Sequence, residues 1–464
     1  MTPAVRSKPA YLALTLITVL ALSLAACTTP TPAPTTAPQA TQPPAATSAP
    51  AATDVPAPTE AAAEEVELHL AWWGSQTRHD RTIAVIEMFM AEHPNINITY
   101  EFSSFGDYWP LLATKAAAGQ LPDVMQQDYA YFLQYVNDGL IVPLDPYIAD
   151  GTIDTSNIDP ATMAGGEVDG QLYALNLGTN SQSWAIDLDL FEQAGVAVPD
   201  PDWTWADFER ISTEIHDALG IYGNAGGLEN PQVLNCMLLS LGQGLYADDG
   251  AGLGFTDDQP VIDYFTSMVT MQESGAMVSR EDQVANQYTL ENNPFVQSQS
   301  AMYFAHTNQL TGLWNAAGEA RRIKLLPVPR ATGATQSANY FKPSMFFSIS
   351  AHSEHPVEAA MFIDFFTNSV EANEILAAER GVPISSAVQA ALLPTLPAAQ
   401  VEVFGFLEAL EVSPIRPPDP GKHNELMTNV FTPLVVDQIM YGQISPEEGV
   451  ALFRDEATSL LASQ

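Results

Sequence analysis

Between Val66 and Gly139 the apolar residues switch repeatedly between two periods, and this constrains the fold more than any other feature of the chain. Val66, Leu68, Leu70 and Trp72 alternate with Glu67, His69 and Ala71, which predicts a half-buried strand. Gly74 breaks it. Ile83, Ile86, Phe89 and Met90 follow at helical spacing and stop before Pro94. Ile96, Ile98 and Tyr100 alternate again, a helix over 111–118 ends at Gly119, and 122–125 reads as a third short strand. A helix over 131–137 is closed by Gly139. Such alternation implies a mostly parallel sheet with helices on both faces. Further along, 172–175 reads as a strand leaving this region, and Thr204 with Asp207 has the spacing of a capping box. Helices fit 261–272 and 356–366, and strands fit 301–304 and 345–349. There is no internal repeat.

The N-terminus belongs to a different kind of sequence. Arg6 and Lys8 precede an uncharged apolar stretch from Tyr11 to Ala26. It is shorter than the roughly 20 residues a bilayer span needs, and it suits the apolar region of a secretory signal. It ends Leu24-Ala25-Ala26-Cys27, which resembles the bacterial lipobox. Residues 1–26 are therefore expected to be a lipoprotein signal peptide, with Cys27 lipidated. Residues 28–63 are almost wholly Thr, Pro, Ala, Ser and Gln, with nine prolines. Such a segment lacks the apolar surface to offset the entropy of ordering, so 27–64 is expected to be a lipidated, extended stalk.

Composition narrows the partners. The whole chain carries a formal charge of −39; without Arg6 and Lys8 the balance is 14 basic against 55 acidic residues, or −41. This argues against nucleic acid and polyanions, and permits neutral sugars or cations. Besides Cys27 only Cys236 occurs, in the apolar run from Val233 to Leu239, so a disulfide framework is excluded and Cys236 is expected to be a buried small hydrophobe. About 400 residues after the stalk exceed one typical core, and two lobes are expected.

Several short motifs carry a family resemblance. Trp72-Trp73-Gly74-Ser75, the run from Phe89 to Pro94, and Gly119-Gln120-Leu121-Pro122-Asp123-Val124 resemble the opening of family-1 extracellular solute-binding proteins, the sugar and maltose binding type. The likeness continues through Tyr173-Ala174-Leu175, Asp189 to Gly195, Trp203-Thr204-Trp205 and Ala301-Met302. Lys342 to Phe347, Ala359 to Phe366 and Arg380-Gly381-Val382-Pro383 complete it, in the family's order. The resemblance implies an α/β, two-lobed periplasmic-binding-protein-like fold with a hinge and an interlobe ligand cleft. Lobe one would be 65–176 plus 346–395, and lobe two 177–345 plus 396–464. It also implies a monomer without cofactor or metal that serves the permease subunits of an ABC transporter.

Sugar sites need aromatic faces for stacking and planar polar groups for hydroxyls. In doubly wound sheets these gather at the carboxyl ends of strands. Trp73, Ser75 and Gln76 follow the first strand, and Gln127 and Asp128 the third. Asn180 follows the first crossing, and His306 and Asn308 follow the strand over 301–304. The resemblance places all of these at ligand-contacting positions. Alternation puts Trp72 in the core and Trp73 near the cleft. Asp128 can equally cap the helix that follows it. Trp109 at a helix start, Trp314, Lys342 and Pro383 complete the candidate set, and His423 is a further possible contact from the second lobe. Lys342 has a plain reading as a solvated charge, and Trp109 and Trp314 as core. His352 and His355 lie three apart but without a partner motif for a metal, and no nucleophile elbow or phosphate-cradling loop occurs. A carbohydrate binder is thus the leading reading. A non-sugar binder (polyamine, peptide or phosphodiester) and an extracellular glycan-active enzyme are the alternatives.

Overall fold

The computed structural model describes residues 65–290, 292–318, 320–415, 417 and 419–462. The signal segment, Cys27 and the stalk lie outside them. The expected alternation is present as strand β1 (Val66–Trp73), helix α1 (Gln76–Glu92), strand β2 (Ile96–Ser103), helix α2 (Phe105–Ala118), strand β3 (Val124–Gln127) and helix α3 (Tyr129–Asn137). Local chemistry sets the ends. Ser75, Ser104 and Asp128 each accept a backbone N–H of the following first turn, and Gly119 closes α2 at φ 65°. Later strands are β4 (Leu175–Asn176), β5 (Thr179–Asn180), β6 (Gln182–Asp187), β7 (Tyr222–Asn224), β8 (Ser300–His306), β9 (Ile323–Leu326), β10 (Lys342–Pro343) and β11 (Phe346–Ile349).

The first sheet has the order β2-β1-β3-β11-β4. Strands β2, β1 and β3 pair in parallel; β11 pairs antiparallel with both β3 and β4, so it alone runs against the others. The parallel character expected from the N-terminal region therefore stops where the chain re-enters the sheet from the second half rather than through a strand–helix–strand crossover. The second sheet, β9-β6-β8-β7, has two antiparallel pairs and one parallel pair.

Strand β1 departs from simple alternation. Its second half is buried on both faces, with Ala71 and Trp72 fully enclosed and Trp73 6% exposed. The cause is its central place: α1 covers the Trp72 face, and α2 covers the other. Tyr108 of α2 donates its hydroxyl to Ala71 O (3.1 Å) and Gln126 O (2.9 Å), tying β1 to β3.

One apolar cluster, including Trp72, Phe89, Phe347 and Phe362, fills the first half. A second, including Trp184, Phe208, Phe265 and Phe431, fills the other, and a third lies around Phe295, Leu325 and Phe404. Cys236 is buried in the second, on the helix Pro231–Ser240, and burial pushes its thiol up to about 12. The Thr204–Asp207 capping box opens the helix Trp205–Leu219. In the C-terminal part, Met427–Val436 winds as a π-helix containing Pro433.

Candidate ligand-binding cleft

Three chain segments pass side by side between the two sheets. Strand β5 pairs antiparallel with β10, setting Asn180 opposite Lys342 and Thr179 opposite Pro343. On its other side Thr179 exchanges backbone hydrogen bonds with Val382, at 2.7 and 3.1 Å. The crossing is tight. A Cβ on Gly178 would stand 2.4 Å from Arg380 O, and Gly381 takes φ +107°, which side-chain-bearing residues rarely adopt.

Against these crossings lie two adjoining cavities that share Lys342, Pro343 and Ser344. One, of about 210 Å³, is walled by Asp128 and Tyr129 from the first half and by Gln232, Asn235, Tyr340 and His423 from the second. The other, of about 220 Å³, is walled by Asn180, His306, Asn308, Arg78 and Arg380. Of the candidates named from sequence, Asp128, Asn180, His306, Asn308 and Lys342 are thus brought together, with His423.

Their side chains are held in distinct states. Asp128 performs its capping role, accepting Ala130 N–H at 2.9 Å, while also facing the cavity. Burial raises its carboxyl pKa, opposed by that N–H and by Lys342. Burial lowers His306 to about 4, assisted by Lys342, so the ring is neutral at pH 7. Thr307 donates to Asn180 Oδ1 at 3.2 Å and fixes the amide. His423 Nδ1 meets the Tyr246 hydroxyl at 2.8 Å. Among the described residues, the Lys342 ammonium makes no ion pair or side-chain hydrogen bond. Two cavity-lining groups, Gln232 Oε1 and Ser344 Oγ, are buried without a hydrogen-bond partner. Buried polar atoms are normally satisfied, so these are poised to bond something that enters the cleft.

The remaining candidates lie elsewhere. Trp73 is enclosed by Phe105, Tyr108 and Trp109, at ring separations of 5.1–5.5 Å. Trp109 stacks on Tyr131 at 4.0 Å and 15°, beside the exposed Phe105. Ser75 caps α1, and Gln76 bonds Asp80. Gln127 is fully buried with both amide atoms unpartnered. Pro383 is buried, its carbonyl accepting from Gln389. Trp314, on the helix Leu310–Ala317, packs against the third apolar cluster. None of these seven lines the two cavities.

Sequence reasoning passed over Tyr129, Gln232, Asn235 and Ser344. Gln232 had a weak local signal, since it follows Asn230-Pro231 at a helix start and so projects from a helix end. Among the described residues no group of His, Cys, Asp and Glu is placed to hold a metal ion, and no helix is long and apolar enough to cross a membrane. The arrangement is suited to holding a polar solute between two walls.

Comparison with known proteins agrees with this geometry. The family described as bacterial extracellular solute-binding protein matches residues 84–401. A Brucella abortus protein provisionally named a binding protein is 27% identical over 146 residues, 31% of this chain and 34% of that one. The chain thus aligns with about a third of that relative's length. A family 1 extracellular solute-binding protein from Alicyclobacillus acidocaldarius superposes with TM-score 0.78 at 28% identity, covering 86% of this chain and 99% of that one. A periplasmic oligogalacturonide binding protein from Yersinia enterocolitica shares the fold, with TM-score 0.72, 23% identity and the same coverage. The fold is the two-lobed α/β architecture of periplasmic solute-binding proteins.

Proposed function

The chain belongs to the bacterial extracellular solute-binding proteins, and on that premise we propose that it captures a carbohydrate and passes it to the permease of an ABC transporter. The observation that carries this reading is the wall of the cleft. Unpartnered Gln232 Oε1 and Ser344 Oγ stand beside the aromatic rings of Tyr129 and Tyr340 and the amide of Asn235. Planar amides and hydroxyls match the alternating donors and acceptors of a sugar, and tyrosine faces match its C–H surface. The stacked Trp109 and Tyr131, with exposed Phe105, form a separate aromatic patch on the first half. They would suit further units of an oligosaccharide.

The two walls come from opposite sides of the three crossings. Capture would therefore draw lobe one (65–176 plus 346–395) and lobe two (177–345 plus 396–464) together, a hinge closure driven by tighter binding to the closed state. The protein would act as a monomer and leave its ligand chemically unchanged. Cys27 would be the lipid attachment point and 28–63 the tether, holding the body outside the cell membrane. A thermal-shift screen against mono- and oligosaccharides tests the reading, followed by mass spectrometry of the bound sugar. A raised melting temperature with the sugar recovered intact is expected. A shift with polyamines or peptides only, or a cleaved sugar, would overturn it.

A further inference from the structure

The positively walled end of the cleft stands out against the rest of the molecule. The chain carries 55 acidic and 16 basic residues, yet the cavity at Asn180 and His306 is walled by Arg78, Lys342 and Arg380 with a single carboxylate, Glu379. Glu379 is committed: Arg78 Nε donates to both its oxygens, at 3.1 and 2.8 Å. Arg380 is 4% exposed and bonds Gln126 Oε1 (3.2 Å) and Thr82 Oγ1 (2.9 Å), but its Nη1 has no hydrogen-bond partner and is 3.8 Å from Glu379. Among the described residues Lys342 makes no ion pair, and the carboxylates of Asp128 and Asp419 line the neighbouring cavity that it shares. His306, neutral at pH 7, adds a ring N–H or lone pair without adding charge.

An unpaired ammonium backed by a buried guanidinium leaves positive potential at the hinge end of the cleft, where desolvation makes an opposite charge most favourable. We propose that the captured carbohydrate carries a carboxylate, as a uronic or other acidic sugar does, and that this group seats against the Lys342 ammonium beside Asn180 and His306. The proposal rests on the carbohydrate reading and narrows its substrate class. A carboxylate fits better than a more highly charged group. The strongly acidic chain repels a multiply charged ligand at long range, whereas one carboxylate meets the Lys342 ammonium at short range.

The test uses the folded chain and three probes: a disaccharide of one hexuronic acid and one neutral hexose, its fully neutral hexose counterpart, and a hydroxy-monocarboxylate without a sugar ring. Calorimetry should give tighter binding of the acidic disaccharide than of the neutral one, weakening as salt rises. Lys342→Gln should reduce affinity for the acidic sugar about tenfold to a hundredfold, the range of a charge-assisted hydrogen bond. It should change neutral-sugar affinity less than about threefold, and Lys342→Arg should retain most of the acidic preference. Equal binding of the two disaccharides, or an equal loss for both in Lys342→Gln, overturns the carboxylate and leaves the carbohydrate reading standing. Binding of the monocarboxylate alone overturns the sugar and keeps the anion site. Binding of none of the three overturns the proposal.

Discussion

Replacing Gly178 with alanine tests the crossing on which the cleft is built. The new Cβ would lie 2.4 Å from Arg380 O, 2.9 Å from Arg380 C and 3.2 Å from Gly381 C. These are backbone atoms of a neighbouring crossing, so no side-chain rotation relieves the clash, and ordinary contact requires a shift of about 1 Å. That shift pulls against the paired Thr179–Val382 hydrogen bonds, at 2.7 and 3.1 Å. Overpacking costs about 1–3 kcal/mol. Weakening two backbone hydrogen bonds adds about 1–2 kcal/mol. Gly178→Ala should therefore lower unfolding free energy by about 2–5 kcal/mol, and displace Asn180 and Lys342 from the cleft. Gly405 is the control: it lies inside the helix Ala398–Ala409 with nothing near the position of an added Cβ. Gly405→Ala should stabilise by about 0.5–1 kcal/mol. Urea denaturation of both variants is the assay. If Gly178→Ala costs no more than Gly405→Ala gains, the close packing of the crossings is wrong.

Trp72→Ala and Trp73→Ala should both destabilise, by about 3–5 kcal/mol each, because both rings are enclosed; thermal melts would show a Trp73 effect on binding alone to be incompatible with this packing. His306 has its folded-state pKa lowered to about 4 against 6.5 for the free side chain. The unfolded chain therefore takes up the proton first, and the stability held above pH 6.5 is lost as pH falls toward 4. Wild type should lose of order 1–2 kcal/mol more than His306→Asn across that window, allowing for solvent screening at a part-exposed ring; parallel melting curves would contradict this. Cys27→Ser should release the protein from membranes without altering its melting temperature, and a variant that still pellets in high salt would contradict a lipid anchor.

Some of this arrangement was legible in the sequence because its cause is local. The strand read from Val66 to Trp72 and the Thr204–Asp207 capping box depend on neighbours in the chain, and both elements are present in the fold, the alternation of burial holding only in the first half of β1. Asp128 was readable as a helix cap, and it caps α3 while lining the cavity. The burial of Ala71 and Trp73 was not legible, since it comes from α2 packing over the second face of β1. Gln232, Ser344 and Tyr129 meet only because three distant segments converge at the crossings. No period within any one segment encodes that meeting. The π-helix at Met427–Val436 was equally hidden, because its apolar residues also suit an ordinary helix.

Solution scattering with and without a bound sugar tests the central claim most directly. A clamp whose ligand touches Asp128 and Tyr129 on one wall and Gln232 and His423 on the other must shorten when it closes. The radius of gyration should fall on saturation with a sugar whose binding calorimetry has established, and mutation of Gln232 should abolish or weaken both signals together. A sugar that binds with calorimetric saturation while the radius of gyration stays fixed would contradict capture between two closing lobes.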